Sequence, residues 1–306
     1  MILKEPDISV IIVTYNSAQV IIPCIDSIIN NSQGADIEIL IVDNGSTDDT
    51  CKILKQNYTD ITIISGHGNI GFAAGNNLGL QAAQGRHFFV LNPDTEISSG
   101  ALRTLKDYAD SHPKVGMIAP RVVNPDGTLQ HSTFRFPDLL QAFYGFFEKL
   151  MPIDSTRNGR YLPEEYGKER SVEHILGAAI FVQRKLWEKI GGMDDNYKLY
   201  FEETDWCYRA RKQNWGLHYL PSATIMHRGA HSTSSSPERN SVLFAQSQAR
   251  FYRINLGMFS YIMLKLIALI GIEYWLSRSI LALLKGKVTP TQFKIRLQSY
   301  LDILLA

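Results

Sequence analysis

Three acids, Glu202, Glu203 and Asp205, stand together behind Tyr200-Phe201 and ahead of Trp206. Acids at the head of an apolar-periodic stretch mark a helix N-terminus, where the positive end of the helix dipole favours them. Asp205 and Arg209 are four residues apart, the spacing at which a carboxylate and a guanidinium pair along a helix. That pair leaves Glu202 and Glu203 uncompensated at a helix mouth. An ordinary capped surface helix has the same pattern, and the stretch alone leaves both readings open. Two more carboxylates follow apolar runs directly. Asp43 ends 37–42 and is placed to accept an N–H such as the imide of uracil or thymine, with Tyr15 available to stack on the base. Asp94 ends 87–91 and Asn92-Pro93, a hard-ligand position for Mg²⁺ or Mn²⁺ beside a phosphate site. Asp-Asn-Gly and Asn-Pro-Asp are also turn chemistry.

The elements that would position these groups are read from hydrophobic pattern. Residues 8–13 and 37–42 are β-branched, near-continuous apolar runs, as in strands buried on both faces. Helical patterns cover about 18–31, the stretch up to about 58, and 72–84. Short strands are expected at 61–64 and 87–91. Four strand–helix alternations predict a parallel sheet with crossover helices, and every polar cluster falls at a strand's C-terminal end, the ligand-binding edge of such sheets.

Gly66-His67-Gly68-Asn69-Ile70-Gly71 matches G-x-G-x-x-G, follows a strand and opens a helix. A dinucleotide fingerprint belongs at the first strand–helix turn, whereas this one sits at the third. It also accounts for neither Asp43 nor the acids near 203, so it is set aside.

At 306 residues and 45% hydrophobic, the chain can bury a large core and has room for about two domains. A net charge of +1 gives no footprint for nucleic acid. Cys24, Cys51 and Cys207 are far apart with no C-x-x-C, which suits a reducing cytoplasm and points to neither a disulfide framework nor a zinc site. Residues 1–6 carry no apolar signal core, so no secretion is expected.

Several motifs in this order carry a resemblance. They are Ser9-Val10-Ile11-Ile12-Val13-Thr14-Tyr15-Asn16, Val42-Asp43-Asn44-Gly45-Ser46-Thr47-Asp48, Asn69-Ile70-Gly71-Phe72-Ala73-Ala74-Gly75-Asn76-Asn77, Leu91-Asn92-Pro93-Asp94, Gly177-Ala178-Ala179, Phe201-Glu202-Glu203-Thr204-Asp205 and His227. Over roughly 7–235 the chain resembles the family 2 inverting glycosyltransferases of the GT-A fold. Through Asp126-Gly127-Thr128-Leu129-Gln130-His131-Ser132-Thr133-Phe134-Arg135-Phe136-Pro137 it resembles the rhamnosyltransferase-like branch that builds bacterial surface polysaccharides.

The resemblance implies an α/β GT-A domain over 1–235, with a mainly parallel central sheet and flanking helices. Its nucleotide half would run to about 120 and its acceptor half over 121–235. It implies Glu203 as general base, where many members carry Asp, and Asp94 with His227 as ligands of Mg²⁺ or Mn²⁺. Asn92 stands where other members have the first Asp of Asp-x-Asp and is the weaker ligand. Thr14, Tyr15, Asn16, Asp43, Asn69, Gly71, Asn76, Asn92 and Asp94 would bind the nucleotide sugar. Arg135, Gly177, Ala178, Glu202 and Asp205 would lie on the sugar or acceptor side, with Arg209 holding Asp205. The implied reaction moves a sugar, L-rhamnose from dTDP-rhamnose, to a lipid-linked or polysaccharide acceptor. A UDP-sugar donor and an inactive nucleotide-sugar-binding protein are the alternatives. A sugar-1-phosphate nucleotidyltransferase is disfavoured, because the turn after the first strand, Thr14-Tyr15-Asn16-Ser17, lacks Arg and Lys.

Residues 139–151 are apolar and aromatic and fit a lipid contact or plain core packing, while 154–170 are polar and expected to be mobile. Residues 232–236 read as a loop, and 236–306 as a helical tail. Residues 254–272 carry one charge, Lys265, which is costly at mid-membrane. Helices lying on the inner face of the cell membrane, or against a second subunit in a homodimer, are therefore expected rather than a span, with basic residues suited to an anionic leaflet.

Overall fold

The computed structural model describes residues 5–147, 158–229 and 237–306. The chain forms two compact units. The first, Met1–Arg135 with Tyr161–Asn196 and Glu202–His231, holds the sheet. Its strands are β1 (Ile8–Thr14), β2 (Ile37–Asp43), β3 (Thr62–Ile64), β4 (His87–Leu91), β5 (Thr95–Ile97), β6 (Val115–Val123), β7 (Leu129–Gln130), β8 (Thr133–Phe134), β9 (Arg170–Ser171), β10 (His174–Ile175), β11 (Ala179–Gln183) and β12 (Gly216–His227). Its helices are α1 (Ile21–Asn30), α2 (Thr50–Asn57), α3 (Phe72–Ala82), α4 (Ala101–Ser111), α5 (Arg184–Ile190) and α6 (Glu202–Lys212).

The main sheet runs β3-β2-β1-β4-β11-β6-β12-β5. The β1, β2, β3 and β4 pairings are parallel, as the alternation predicts, while β11 inserts antiparallel between β4 and β6. That insertion has a consequence for the site. Ala179 pairs with Leu91, so the residues entering β11 meet the chain leaving β4. Likewise β12 ends with His227 opposite Thr95, which brings its last residue beside the 92–94 turn.

All seven residues of β1 are buried, and α1 covers the sheet with Ile21, Cys24, Ile25 and Ile28, one face at helical spacing. On α3, Gly79 makes close approach possible. A Cβ there would stand 2.4 Å from Ile11 Cγ2, inside a fully buried strand. Gly79→Ala is expected to destabilise by about 1–3 kcal/mol, the usual cost of overpacking. Urea unfolding checks this, and an unchanged midpoint would mean that α3 moves away freely.

The second unit comprises Phe136–Arg160, Tyr197–Phe201 and Ser232–Ala306. It is therefore wider than a tail starting at 236. It contains α7 (Leu139–Phe147), α8 (Pro237–Phe251), a π-helical turn at Tyr252–Leu256, α9 (Gly257–Leu284) and α10 (Pro290–Leu305). Aromatic packing draws in the extra segments. Phe146 lies over Gly271, where a Cβ would approach to 2.5 Å, and its carbonyl accepts from Trp275 Nε1 at 2.8 Å. Phe201 packs between Phe244 and Phe251, with ring centroids at 5.3 and 5.5 Å. Tyr200 and Phe201 have φ of 67° and 68°, left-handed values that bulky side chains rarely adopt.

By length and composition alone, Glu238–Leu284 could cross a membrane. Lys265, the single charge of 254–272, donates to the Leu304 carbonyl at 2.8 Å. The expectations placed on 148–157, on 232–236 and on residues 1–4 lie outside the described residues.

Candidate active site

The C-terminal ends of β1 and β2 meet in register, Thr14 opposite Asp43. Asp43 is 3% exposed. Its Oδ1 accepts from Thr14 Oγ1 at 3.2 Å and its Oδ2 from Ser46 N at 3.1 Å. The second bond is the turn contact expected of Asp-Asn-Gly-Ser, so Asp43 shapes the loop that it ends. Tyr15, next to Thr14, is 46% exposed and offers an open ring face. Asn16 sits at φ 51° and ties this edge together, its Oδ1 accepting from Thr47 N at 2.8 Å.

The Gly-rich turn is built from asparagines. Asn69 Oδ1 accepts from Gly71 N at 3.1 Å, and Gly71, at φ 89°, caps α3. Asn44 Nδ2 donates to the Gly71 carbonyl at 2.9 Å, joining this turn to the end of β2. Asn76 is fully buried, and its Nδ2 donates to the Phe72 carbonyl at 2.9 Å. Asn77 binds both the N–H and the carbonyl of Met193.

Asp94 and His227 come together from the ends of β4 and β12. Asp94 Oδ1 lies 3.3 Å from His227 Nε2, and Asn92 Nδ2 lies 3.4 Å from the same nitrogen. His227 Nδ1 donates to Gln130 Oε1 at 2.6 Å, and Gln130 Nε2 in turn donates to Asn124 Oδ1 at 2.9 Å. Gln130 thereby holds the Nδ1 proton and aims Nε2 at the carboxylate: protonated, Nε2 donates to Asp94, and deprotonated it offers a lone pair to a cation, the outer-shell arrangement of metal-binding histidines. Burial works to raise the Asp94 carboxyl, but the His227 bond and charge outweigh it and hold the group below its usual range. A carboxylate oxygen and an imidazole nitrogen at this spacing fit a divalent cation. Among the described residues no third His, Cys, Asp or Glu joins them, so a cation here would complete its shell with substrate oxygens and water.

The acids of α6 are buried rather than exposed, which removes the surface-helix reading. Glu202 is 4% exposed, Glu203 8% and Asp205 3%. Asp205 Oδ2 accepts from Arg209 Nε at 2.7 Å, as the spacing predicts. Arg209 also donates to the carbonyls of Ile190 at 2.7 Å and Gly192 at 2.6 Å, pinning the loop after α5. Glu203 Oε1 stands 3.5 Å from His174 Nε2, while that nitrogen and Thr204 Oγ1 are 3.0 Å apart. A Cβ on Gly177 would lie 3.8 Å from Glu203 Cγ. The Ala178 carbonyl accepts from Asn92 N at 3.0 Å. Through Gly177 and Ala178 the Asp94 corner is thus linked to Glu203.

Arg135 stands apart from these contacts. It is exposed, and its guanidinium lies 4.9 Å over the Tyr161 ring. His231 lies outside the described residues. Gln130 and His174 are the site neighbours that spacing did not single out.

Glu202 Oε2 is buried with no hydrogen-bond partner. Burial, reinforced by the Glu203 charge, pushes the Glu202 carboxyl well above its usual 4.5. A carboxyl raised in the folded state keeps its proton there to higher pH than in the unfolded chain. Stability is therefore lost as pH rises from about 4.5 towards the folded value. Glu202→Gln is expected to gain Tm over wild type as pH rises through this window, with the two converging below it. Thermal melts across pH check this. Parallel curves would mean that Glu202 titrates alike in both states.

The family model for glycosyl transferase family 2 matches residues 9–173. An N-acetylglucosaminyl-diphospho-decaprenol L-rhamnosyltransferase of Mycobacterium tuberculosis is 30% identical over 217 residues, 66% of this chain and 69% of the relative. The low-salt glycan biosynthesis hexosyltransferase Agl10 of Haloferax volcanii is 29% identical over 68% of this chain and 62% of its own. Among solved structures, the mannosyltransferase PcManGT of Pyrobaculum calidifontis, in complex with GDP-Man and Mn²⁺, has a TM-score of 0.58 at 14% identity. It covers 99% of this chain and 87% of its own. GalNAc-T7 with UDP, GalNAc and Mn²⁺ has a TM-score of 0.60 at 15% identity, covering 82% and 48%. These likenesses give the GT-A fold.

Proposed function

This chain belongs to glycosyl transferase family 2 and is a glycosyltransferase, and from that premise we propose that it moves L-rhamnose from dTDP-rhamnose to a lipid-linked acceptor by single displacement with inversion. The observation that carries the proposal is the link from the Asp94–His227 pair through Gly177-Ala178 to the buried Glu203 carboxylate. Glu203 takes the proton of the acceptor hydroxyl as that oxygen attacks the anomeric carbon. The bond to the diphosphate breaks on the opposite face, so the configuration inverts. Asp94 and His227 would hold Mg²⁺ or Mn²⁺, and the bound ion would supply Lewis-acid stabilisation of charge on the diphosphate. Asp43 accepts the imide N–H of the base, and Tyr15 stacks on its ring.

The sugar and the diphosphate-polyprenol acceptor follow the mycobacterial relative's name. The helical unit suits such an acceptor. Residues 237–306 carry nine Lys and Arg against three Asp and Glu, and Met258, Phe259, Ile262, Leu266 and Ile270 leave an apolar face of α9 exposed. That combination favours binding to the anionic inner leaflet.

Asp43 reads an imide that thymine and uracil share, so a UDP-sugar is the second reading. A panel of nucleotide sugars with Mg²⁺ or Mn²⁺, assayed for acceptor-dependent release of nucleoside diphosphate, separates the two. Turnover with dTDP-rhamnose is expected, and turnover with UDP-sugars alone would move the donor to the second reading. Donor binding without transfer to any lipid-linked acceptor would remove the proposed acceptor. Asp43→Ala is expected to raise donor KM about 10- to 100-fold, as for loss of a hydrogen bond to a charged group, with kcat nearly kept. A kcat loss alone would argue that Asp43 only builds its turn.

A further inference from the structure

The helical unit forms a half-open cavity of about 900 Å³ whose described lining residues all belong to that unit. This is the upper end of the roughly 300–1,000 Å³ usual for small-ligand sites. Phe146, Phe201, Phe244, Ile272 and Trp275 make much of the wall. Arg160 and Arg296 also line it, with Glu238 as the one carboxylate among the described lining residues. Arg160 is exposed and Arg296 half-buried, and among the described residues neither guanidinium has an ion-pair partner. An apolar aromatic chamber with two guanidiniums that no described carboxylate pairs is complementary to an amphiphile with an anionic head. Its wall also contains Tyr200 and Phe201, which the chain follows directly with Glu202 and Glu203.

We infer that this cavity receives the isoprenoid chain of a polyprenyl-diphosphate acceptor, with Arg160 and Arg296 on its diphosphate. The inference rests on the lipid-linked acceptor proposed above and gives that acceptor a seat. The wall is distinct from the exposed face of α9. Its α9 members, Ile272 and Trp275, are not among the large exposed apolar residues Met258, Phe259, Ile262, Leu266 and Ile270. The cavity would hold the proximal isoprene units, and the outer face would meet the bilayer.

Farnesyl diphosphate, a soluble isoprenoid diphosphate, is the probe, and the full chain is used. Binding is read by calorimetry and by quenching of tryptophan fluorescence. Gly145 lines the cavity, and a Cβ built on it meets no heavy atom within 4 Å, so the indole of Gly145→Trp would occupy the chamber. Loss of at least about tenfold in affinity is expected for Gly145→Trp, and about tenfold for Arg160→Gln or Arg296→Gln, as for a charge-assisted bond. No wild-type binding, or binding indifferent to all three substitutions, would overturn the inference. A benzophenone-tagged farnesyl diphosphate needs no variant. Label in the peptides of α7 and α8 supports the cavity, and label confined to the 258–270 face overturns it. Equal competition by phosphatidylglycerol would also overturn it, making the chamber a bilayer-lipid site. Donor binding in the same samples judges the glycosyl-transfer reading separately, because the cavity fails or stands on the isoprenoid probe alone.

Discussion

Glu203→Gln is expected to lower kcat by about 10²–10⁴-fold, the range contributed by a positioned general base, while donor and acceptor still bind. The amide keeps the size and shape of the carboxylate, so the neighbours at Gly177 and His174 need not move. What it loses is the ability to take a proton. Steady-state kinetics with separate donor-binding measurements distinguish this from a folding effect, because lost chemistry lowers kcat and leaves donor affinity in place. Glu203→Asp, which withdraws the carboxylate by about a methylene, should retain more activity than the Gln variant. The competing base within the site is His174, whose Nε2 is 3.5 Å from Glu203 Oε1. If Glu203→Gln turned over normally and His174→Gln did not, the base would be the imidazole. Near-equal deficits in the two single variants, not multiplied in the double, would describe a unit in which His174 orients the acid.

What the sequence reveals here follows from how local each determinant is. Strands β1, β2 and β4 are legible because each is an uninterrupted apolar run closed by a polar cluster, and those clusters are where Thr14, Asp43 and Asn92 lie. The direction of β11 is not legible. Ala179–Gln183 is a run of four apolar residues closed by Gln183, and nothing in it distinguishes parallel from antiparallel pairing. Yet that direction delivers Gly177 and Ala178 to the end of β4. Asp205–Arg209 is readable as an i,i+4 pair, whereas burial of all three acids is not, since it depends on what packs over α6. Gln130 and His174 lie on two-residue strands, too short for a periodic signal, and their roles arise from partners 97 and 30 positions away. The helical unit gives a similar lesson. The apolar 139–151 stretch left lipid contact and core packing both open, and its described part, α7, packs on α9 through Phe146 and Gly271 while lining the cavity.

Asp94→Ala is expected to cost about a thousandfold in kcat/KM, taking about 4 kcal/mol as the several kcal/mol that Lewis-acid stabilisation supplies. Higher Mn²⁺ should restore only part of it. Among the described residues Asp94 is the only carboxylate found with His227 at this corner, and Asn92 presents a neutral amide. Removing Asp94 therefore leaves the imidazole as the sole strong donor. His227→Ala should fall in the same direction, by less if the carboxylate carries most of the charge neutralisation. The more discriminating substitution is Gln130→Ala, one step from the corner. It removes the acceptor that holds His227 Nδ1–H and releases the ring to turn or change tautomer. Loss of such an outer-shell partner costs about 10- to 100-fold in metal affinity or activity. Titrating Mn²⁺ against turnover should then shift the half-saturating concentration upward, with kcat recovered at saturation. A Gln130 variant with unchanged metal dependence but poor turnover would mean that Gln130 supports the fold of the 124–130 hairpin rather than the metal corner. Wild-type activity that persists undiminished in a chelator, with Asp94→Ala matching it, would take the cation out of the reaction. Asp94 and His227 would then be read as a carboxylate–imidazole pair, with the imidazolium itself facing the diphosphate.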